Sequence, residues 1–494
     1  MAPSTKFVCR LADRPGAAVA ALCALQIIAW TLVPTIVHDM PPLDVVEGYM
    51  WGREWQIASF KHPGMPSWIL EASRQLTGAV GWPAYLASQF LVALTFLAVY
   101  VLGTELMDRT RALAGVLLLT GLYYFSIPTP ELNHNVAQMP FWAGMALFLW
   151  RGRERGRTLD WMILGALAAG GLYAKLSTAL LIVTGGLWLL SDQKARSRLA
   201  SPGPWLGLGV FLVLSFPLVL HLADTKGAML DYAAERGRRF GVGALEFVGA
   251  QLLVLAGAGA LLLAAGGLRA PSGSESAESR TDPVAFRYLF FMTAGPLAIS
   301  VLAAVLKGIG AKPMWGTPML NLIGLLSVAW LNDRIRRSVV ARLAVIAACL
   351  LVVLPAAYAV VFLVVPAFTG RLKKQNWPQA EISARLTRHW TAATGRPLAI
   401  IVGEPWVAGA VGIGPWVEAS ILSNADLALS PWVTPARLKR EGALVVWEEQ
   451  GRRFKPPGID ALVKGLPVGE ERFLSRRFPN APPIIIKYAI LPPA

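Results

Sequence analysis

Residues 41–68 read PPLDVVEGYMWGREWQIASFKHPGMPSW and follow the first long apolar run of the chain. The stretch is too polar to lie in lipid. It carries the carboxylates Asp44, Glu47 and Glu54, the cations Arg53 and Lys61, the near-cation His62, three Trp and several helix-breaking Pro and Gly. Asp44 and Glu47 are three residues apart, so a helix places both carboxylates on one face. The plainest reading is a solvated loop with an interfacial helix whose Trp rings rest at lipid headgroups. The surrounding chain decides between that reading and a site.

Of the 494 residues, 55% are hydrophobic and only 15% charged, which is outside the range of a soluble globular protein. Apolar runs of membrane-spanning length recur, so the chain reads as a polytopic α-helical membrane protein. About eleven spans are expected, near 17–37, 82–104, 112–127, 137–150, 160–174, 176–190, 204–222, 244–267, 287–306, 316–331 and 340–366. Arg10 and Arg14 precede a first run too long for a signal-peptide core, which reads as a retained helix. With a cytoplasmic N-terminus, the loops carrying Arg109 and Arg111, Arg151 to Arg157, Lys194 to Arg198, and Arg334 to Arg337 all fall inside. So does PSGSESAESR at 271–280, a flexible linker by composition. The formal charge of +16 is therefore a footprint of membrane topology, and no nucleic-acid partner is implied. Cys9, Cys23 and Cys349 have no paired spacing, which argues against a disulfide framework or a thiolate metal site.

The same count places outside the loop 38–81, residues 128–136, the vicinity of Lys175, 223–243, 307–315 and everything after about Phe368. The positive-inside rule gives these loops no reason to be basic. Yet Lys61, Lys175, Arg236, Arg238, Arg239, Lys307 and Lys312 lie there, with His62 beside them. Cations on the translocated face close to span ends suit an anion held at the outer surface, such as a lipid phosphate. The competing reading is that some of them snorkel to headgroups.

From about Arg371 the charge content rises. Short β-rich runs (PLAIIVG, GALVVWEE, PPIIIKYAIL) alternate with a helical stretch near 378–394. The division is a membrane region, 1–367, with the loop 38–81 carrying the site, and an outer α/β domain, 368–494. That domain, of roughly 120 residues, is large enough for a core of its own. It shows no phosphate loop, no dinucleotide fingerprint and no metal-ligand pair. A stabilising lid is its plainest role; capping the site or binding an acceptor is the alternative.

Group transfer from a lipid phosphate needs a carboxylate to take the acceptor's proton and cations to hold the departing phosphate. Asp44 or Glu47 supplies the first. Lys61, His62, Lys175, Lys312 and the cluster Arg236, Arg238 and Arg239 supply the second. These residues also carry a resemblance. An acidic pair after the first span, then YMWGREW and KHPGMPSW, resembles the first external loop of the GT-C fold membrane glycosyltransferases. More closely, it is similar to the bacterial relatives of the dolichyl-phosphate-mannose protein mannosyltransferases, which include the aminoarabinose transferases acting on lipid A. TPELNHNVAQMPFW, LYAKLSTALL and GIGAKPMWGTPMLNLIGLL agree in order, to about residue 366.

The resemblance implies an inverting glycosyltransferase of the bacterial inner membrane. It would move a sugar from a polyprenyl-phosphate donor to a lipid, glycan or protein acceptor of the envelope, with a first-loop carboxylate as base. The sequence departs from the pattern at three places. The family's adjacent Asp-Glu falls on Val46-Glu47, leaving Asp44 two residues early. Its twin proline reads Pro63-Gly64. Lys61 stands where some relatives carry a metal-binding carboxylate, so their metal does not transfer. His134 with Asp44 or Glu47 is a thin donor set for a divalent ion, and no metal is assigned.

Glu131, Asn133, His134 and Asn135 form a polar knot that suits hydrogen bonds to sugar or acceptor, although a helix-capping turn explains the asparagines equally well. Lys175 lies between two apolar segments, where a lysine needs a partner. Tyr232 and Glu235 precede the arginine cluster and suit the cap of an interfacial helix. Trp82 and Trp315 read as belt residues. A second reading is a transporter or flippase of a lipid-linked sugar. It would place ionisable groups near the bilayer midplane, whereas this chain keeps them near span ends.

Overall fold

A computed structural model describes residues 13–240, 242–269, 281–308, 310–414, 416–449 and 457–494. The linker 271–280, Cys9 and Arg10 lie outside these residues. Apolar composition and Pro at the first turn set the long helices. They are α1 (Pro15–Val37), then, after the short loop helices α2 (Leu43–Arg53) and α3 (Met65–Thr77), α4 (Trp82–Leu106). The bundle continues through α5 (Arg109–Leu119), α6 (His134–Arg155), α7 (Thr158–Ala174), α8 (Thr178–Ser191) and α9 (Pro202–Asp224). The amphipathic α10 (Ala228–Phe240), α11 (Ala244–Ala265), α12 (Pro283–Lys307), α13 (Ile323–Leu331) and α14 (Arg337–Thr369) complete it.

This is a multi-pass membrane fold, and the expected count of eleven full-length spans is not confirmed. Among the described residues, six helices are long and apolar enough to cross, or seven if one bent pair counts as a span. The expected span 112–127 is the 11-residue α5, buried throughout from Arg111 to Leu119, and then a 3-10 turn at Tyr123–Phe125. A run that short serves as a core helix. The expected span 316–331 is broken: Pro313 and Pro318 open two 3-10 turns, and the chain bends by 58° into α13. Helices α7 and α8 have 17 and 14 residues, joined at Lys175.

The two ends of the bundle differ in charge chemistry. At one end Glu105 accepts hydrogen bonds from Arg151 (2.7 Å) and Arg155 (2.6 Å), and Arg153 pairs with Asp192 (2.9 Å). The loop 38–81, the turn before α6, Lys175 and Lys312 gather at the other end, beneath the C-terminal domain. His38, at the end of α1, sits between the hydroxyls of Tyr85 (2.9 Å from Nδ1) and Tyr358 (3.1 Å from Nε2). It ties the first, second and last long helices together.

The small C-terminal domain is a five-stranded mixed sheet in the order β2-β1-β3-β5-β4. β1 (Ile400–Gly403) pairs in parallel with β2 (Ser420–Ser423) and β3 (Ala443–Glu448). β5 (Ile484–Leu491) runs antiparallel to β3 and β4 (Val468–Phe473). Helices α15 (Gln379–Thr394) and α16 (Pro405–Gly412) pack on the sheet. One apolar cluster joins Trp390, Ile401, Trp406 and Ile421 of this domain to Val45, Val46, Tyr49 and Met50 of α2.

Candidate active site

The site is built on α2. At 100° per residue its side chains fall into three sectors. Asp44, Glu47 and Trp51 share one sector. Gly48 and Gly52 share the next and lie against α3, where a Cβ would meet Leu70 Cδ1 at 2.3 Å and the Ser67 carbonyl oxygen at 2.2 Å respectively. Val46, Met50 and Arg53 share the third and face the C-terminal domain: Val46 and Met50 lie against Gly409, and Arg53 donates to the Gly412 and Ala419 carbonyls. The DxxE spacing thus presents both carboxylates on one side of a helix walled in on the other two.

Asp44 is reachable by solvent, while protein groups press on its carboxyl from several sides. Its backbone N–H donates to Glu131 Oε1 (3.0 Å), and Asn133 Nδ2 donates to its Oδ2 (3.2 Å). Asn133 Oδ1 meanwhile accepts from the N–H groups of Asn135 (2.9 Å) and Val136 (3.2 Å), capping α6. The helix-capping turn expected of the asparagines is present at Asn133, whose amide also holds Asp44. Burial raises the Asp44 carboxyl, and Lys61, Asn133, Lys312 and Lys175 pull it back. Glu131 is pushed up to about 8, by burial first and then by the charge of Asp44. Both carboxyls of this pair are thus held above the ordinary carboxylate range, each by burial first.

Glu47 is buried and already engaged: Lys61 Nζ lies 2.5 Å from its Oε1. Lys61 also sits 5.6 Å from the ring centre of Trp51. His62 stacks on His134, ring centres 4.0 Å apart, and the two Tyr232 neighbours Phe60 and His62 present their rings edge-on to it. The expectation that His62 adds positive charge is corrected. Burial first, then His134, Lys175 and Lys61, hold it well below the ordinary histidine range, so it is neutral. His134 lies with Nε2 3.2 Å from the Pro63 carbonyl oxygen, which fixes the turn after Lys61.

Lys175, at the junction of α7 and α8, donates to Asn135 Oδ1 (2.5 Å) and lies 5.8 Å from the ring centre of Trp315. Burial, with Lys312 adding to it, pushes its pKa down to about 7. Lys312 is lowered by burial and by Arg236, and the charge of Asp44 opposes both. Arg236 reaches the same end of the bundle, its Nε donating to Tyr232 Oη (2.8 Å). Tyr232 is thus part of the wall of the site rather than only a cap. Arg238 is exposed. The side chain of Arg239 lies outside the described residues.

One family of side chains is brought together: Asp44, Glu47, Glu131, Asn133, Asn135, Lys61, His62, His134, Lys175 and Lys312, with Arg236 at the edge. The donor set does not suit a divalent cation, because Glu47 is neutralised by Lys61. Among the described residues no three His, Cys, Asp or Glu side chains are placed so that they could hold a metal ion. Sequence reasoning missed Glu404, the N-cap of α16, whose charge helps raise the Glu47 carboxyl. No local signal marks it, since it comes from the other domain.

Long apolar helices with an acid-and-lysine cluster at one end, under a small sheet domain, make up a GT-C-like membrane fold. Residues 61–221 match the family of dolichyl-phosphate-mannose-protein mannosyltransferases. Among solved structures, the chain is similar to the crystal structure of ArnT from Cupriavidus metallidurans bound to undecaprenyl phosphate. The TM-score is 0.65 at 15% identity, over 95% of this chain and 97% of that one. No curated protein matches the chain in sequence.

Proposed function

We propose that the protein is an inverting glycosyltransferase of the bacterial inner membrane. It takes a sugar from a polyprenyl-phosphate donor and passes it to an envelope acceptor at the outer face. One observation carries this reading: a solvent-reachable carboxylate, Asp44, stands among Lys61, Lys175 and Lys312, all of which act on its charge. A base next to several cations is what displacement of a sugar phosphate requires.

In this reading Asp44 is the base, because Glu47 is occupied by Lys61. The acceptor's hydroxyl or amine gives its proton to Asp44 as its heteroatom bonds to the anomeric carbon. The bond from that carbon to the phosphate oxygen breaks on the opposite side, and both bonding electrons leave with the phosphate. The single displacement inverts the anomeric centre. Lys175 and Lys312, with Arg236 at the edge, hold the phosphate as its charge grows. Glu131, protonated at neutral pH, adds no charge to repel it. The buried Lys61–Glu47 pair keeps the floor of the cleft rigid.

The ArnT structure bound to undecaprenyl phosphate supports a polyprenyl phosphate as the leaving group. The match to a mannosyltransferase family supports sugar as the transferred group. The test uses the purified chain in bilayers with undecaprenyl-phosphate sugars and an envelope lipid extract as acceptor. Release of undecaprenyl phosphate with a glycosylated product of inverted anomeric configuration is expected, and Asp44→Asn should abolish it. Movement of the lipid-linked sugar across the bilayer without any transfer would sink the reading in favour of a flippase.

A further inference from the structure

The C-terminal domain touches α2 in more ways than a cover requires. Gly409 of α16 lies so close to α2 that a Cβ there would sit 2.1 Å from Val46 Cγ1 and 3.6 Å from Met50 Sδ. Arg53, the last residue of α2, donates from Nη1 to the carbonyl oxygens of Gly412 and Ala419, both at 3.0 Å. Its Nε lies 3.7 Å from Glu418 Oε2. Glu418 also accepts from Arg74 of α3 at 2.9 and 3.2 Å, and Arg74 in turn holds Glu71 at 2.7 and 3.0 Å. The arginines are buried to 11% and 9% side-chain exposure, and Glu418 closes the junction at the rim.

The grips on Val46, Met50 and Arg53 fall on one sector of a helix that carries Asp44 and Glu47 on another. A rigid helix transmits a rotation at Val46 directly to both carboxylates. A tilt of a few degrees moves Asp44 by a fraction of an ångström, and misplacement of about 1 Å at a reacting centre costs on the order of a hundredfold in rate. The domain's influence also reaches the cleft through Glu404, which acts on Glu47.

We propose that the C-terminal domain is a positioning element of the reaction: the Gly409–Val46 contact and the Arg53–Glu418–Arg74 junction set the angle of α2 and with it the placement of Asp44. This rests on the glycosyltransferase reading given above. Gly409, Arg53 and Glu418 are positioning residues that act through α2 and touch no substrate.

The test is a compensation experiment on the full chain in detergent, using mannosyl-, glucosyl- and aminoarabinosyl-phosphoundecaprenol as donors and scoring undecaprenyl phosphate released. Gly409→Ala should lower kcat by about tenfold or more and shift the acid limb of its pH profile, with donor KM unchanged within about twofold. Val46→Ala removes the atom that the new Cβ would strike, so Gly409→Ala with Val46→Ala should recover most of kcat and the wild-type pH profile. Glu418→Gln, at the exposed rim, should fold normally and show a smaller loss of the same kind, which keeps the test open if Gly409→Ala does not fold. Wild-type kcat and pH profile in both single variants would overturn the proposal. So would losses in yield or Tm alone, with unchanged kcat in the folded fraction. No turnover by the wild-type chain with any donor would instead remove the glycosyltransferase reading beneath it.

Discussion

Lys61 Nζ lies 2.5 Å from Glu47 Oε1, while Asp44, one turn earlier on the same helix face, takes its side-chain hydrogen bond from Asn133 at 3.2 Å. Two carboxylates that the sequence presents as equivalents are thereby given different work. In the reading proposed above, the one paired with the lysine supports the site and the one held by the amide takes the acceptor's proton.

Substitution should separate the two. Asp44→Asn is expected to lower kcat by about a thousandfold, within the range of a general base. Glu47→Gln should leave measurable turnover but lower the melting temperature, because it strands Lys61 in a buried position; breaking one side of a buried pair costs about 3 kcal/mol. Lys61→Met with Glu47→Leu should be closer to wild type in stability than either single change. Parallel kcat and Tm measurements check this, and equal kcat losses for Asp44→Asn and Glu47→Gln would contradict the division of roles.

Lys175 gives a pH signature. Its pKa of about 7 lies below the ordinary lysine value because it is buried and near Lys312. A lysine lowered in the folded state binds fewer protons there than in the unfolded chain. Stability therefore rises with pH between about 7 and the ordinary lysine range. Phosphate binding runs the other way, since it needs the charged form. Affinity for undecaprenyl phosphate should weaken above pH of about 7, by up to about tenfold per pH unit where Lys175 dominates. Lys175→Arg should flatten that slope, because the guanidinium stays charged. A titration of binding between acid and alkaline buffers, in wild type and variant, decides it.

Asn133 does two jobs that can be split. Asp is as good an N-cap as Asn, so Asn133→Asp should keep Tm within a few degrees. It also places a second negative charge against Asp44, so turnover should fall by about tenfold or more. Asn133→Ala should instead lose the cap, at about 1 kcal/mol, along with the amide that orients Asp44. Thermal unfolding beside turnover reads both.

The contact between α2 and α3 should also be unequal at its two glycines. At Gly48 an added Cβ meets the far end of a leucine, whereas at Gly52 it meets a backbone oxygen. Gly52→Ala is therefore expected to lower Tm by several degrees more than Gly48→Ala, since a leucine rotates and a helix backbone does not. Melting curves of the two variants in one detergent provide the check.

The sequence made much of this legible. Hydropathy located nearly every helix, and residue spacing put Asp44 and Glu47 on one face. Cations stranded near apolar span ends pointed to the end of the bundle where Lys175, Lys312 and Arg236 are found. Less legible were properties that depend on distant neighbours. Glu131 lies 87 residues from Asp44 in the chain, and only folding buries it beside that charge and raises its pKa. His62 reads as a near-cation until burial and its lysine neighbours make it neutral. The short α5 reads as a span because a buried core helix and a crossing helix are both apolar; only length separates them. Gly48 and Gly52 are unremarkable as letters, because the helix they must admit begins at Met65.

The bond from Arg53 to Gly412 joins residues 359 positions apart. A ribosome therefore inserts every helix of the bundle before the last wall around α2 has been made. Nascent chains, and any truncated before residue 412, carry the acidic helix without the partner that holds it. On the proposal that this partner positions Asp44, biosynthetic order is itself a safeguard: competence waits until the polypeptide is nearly complete.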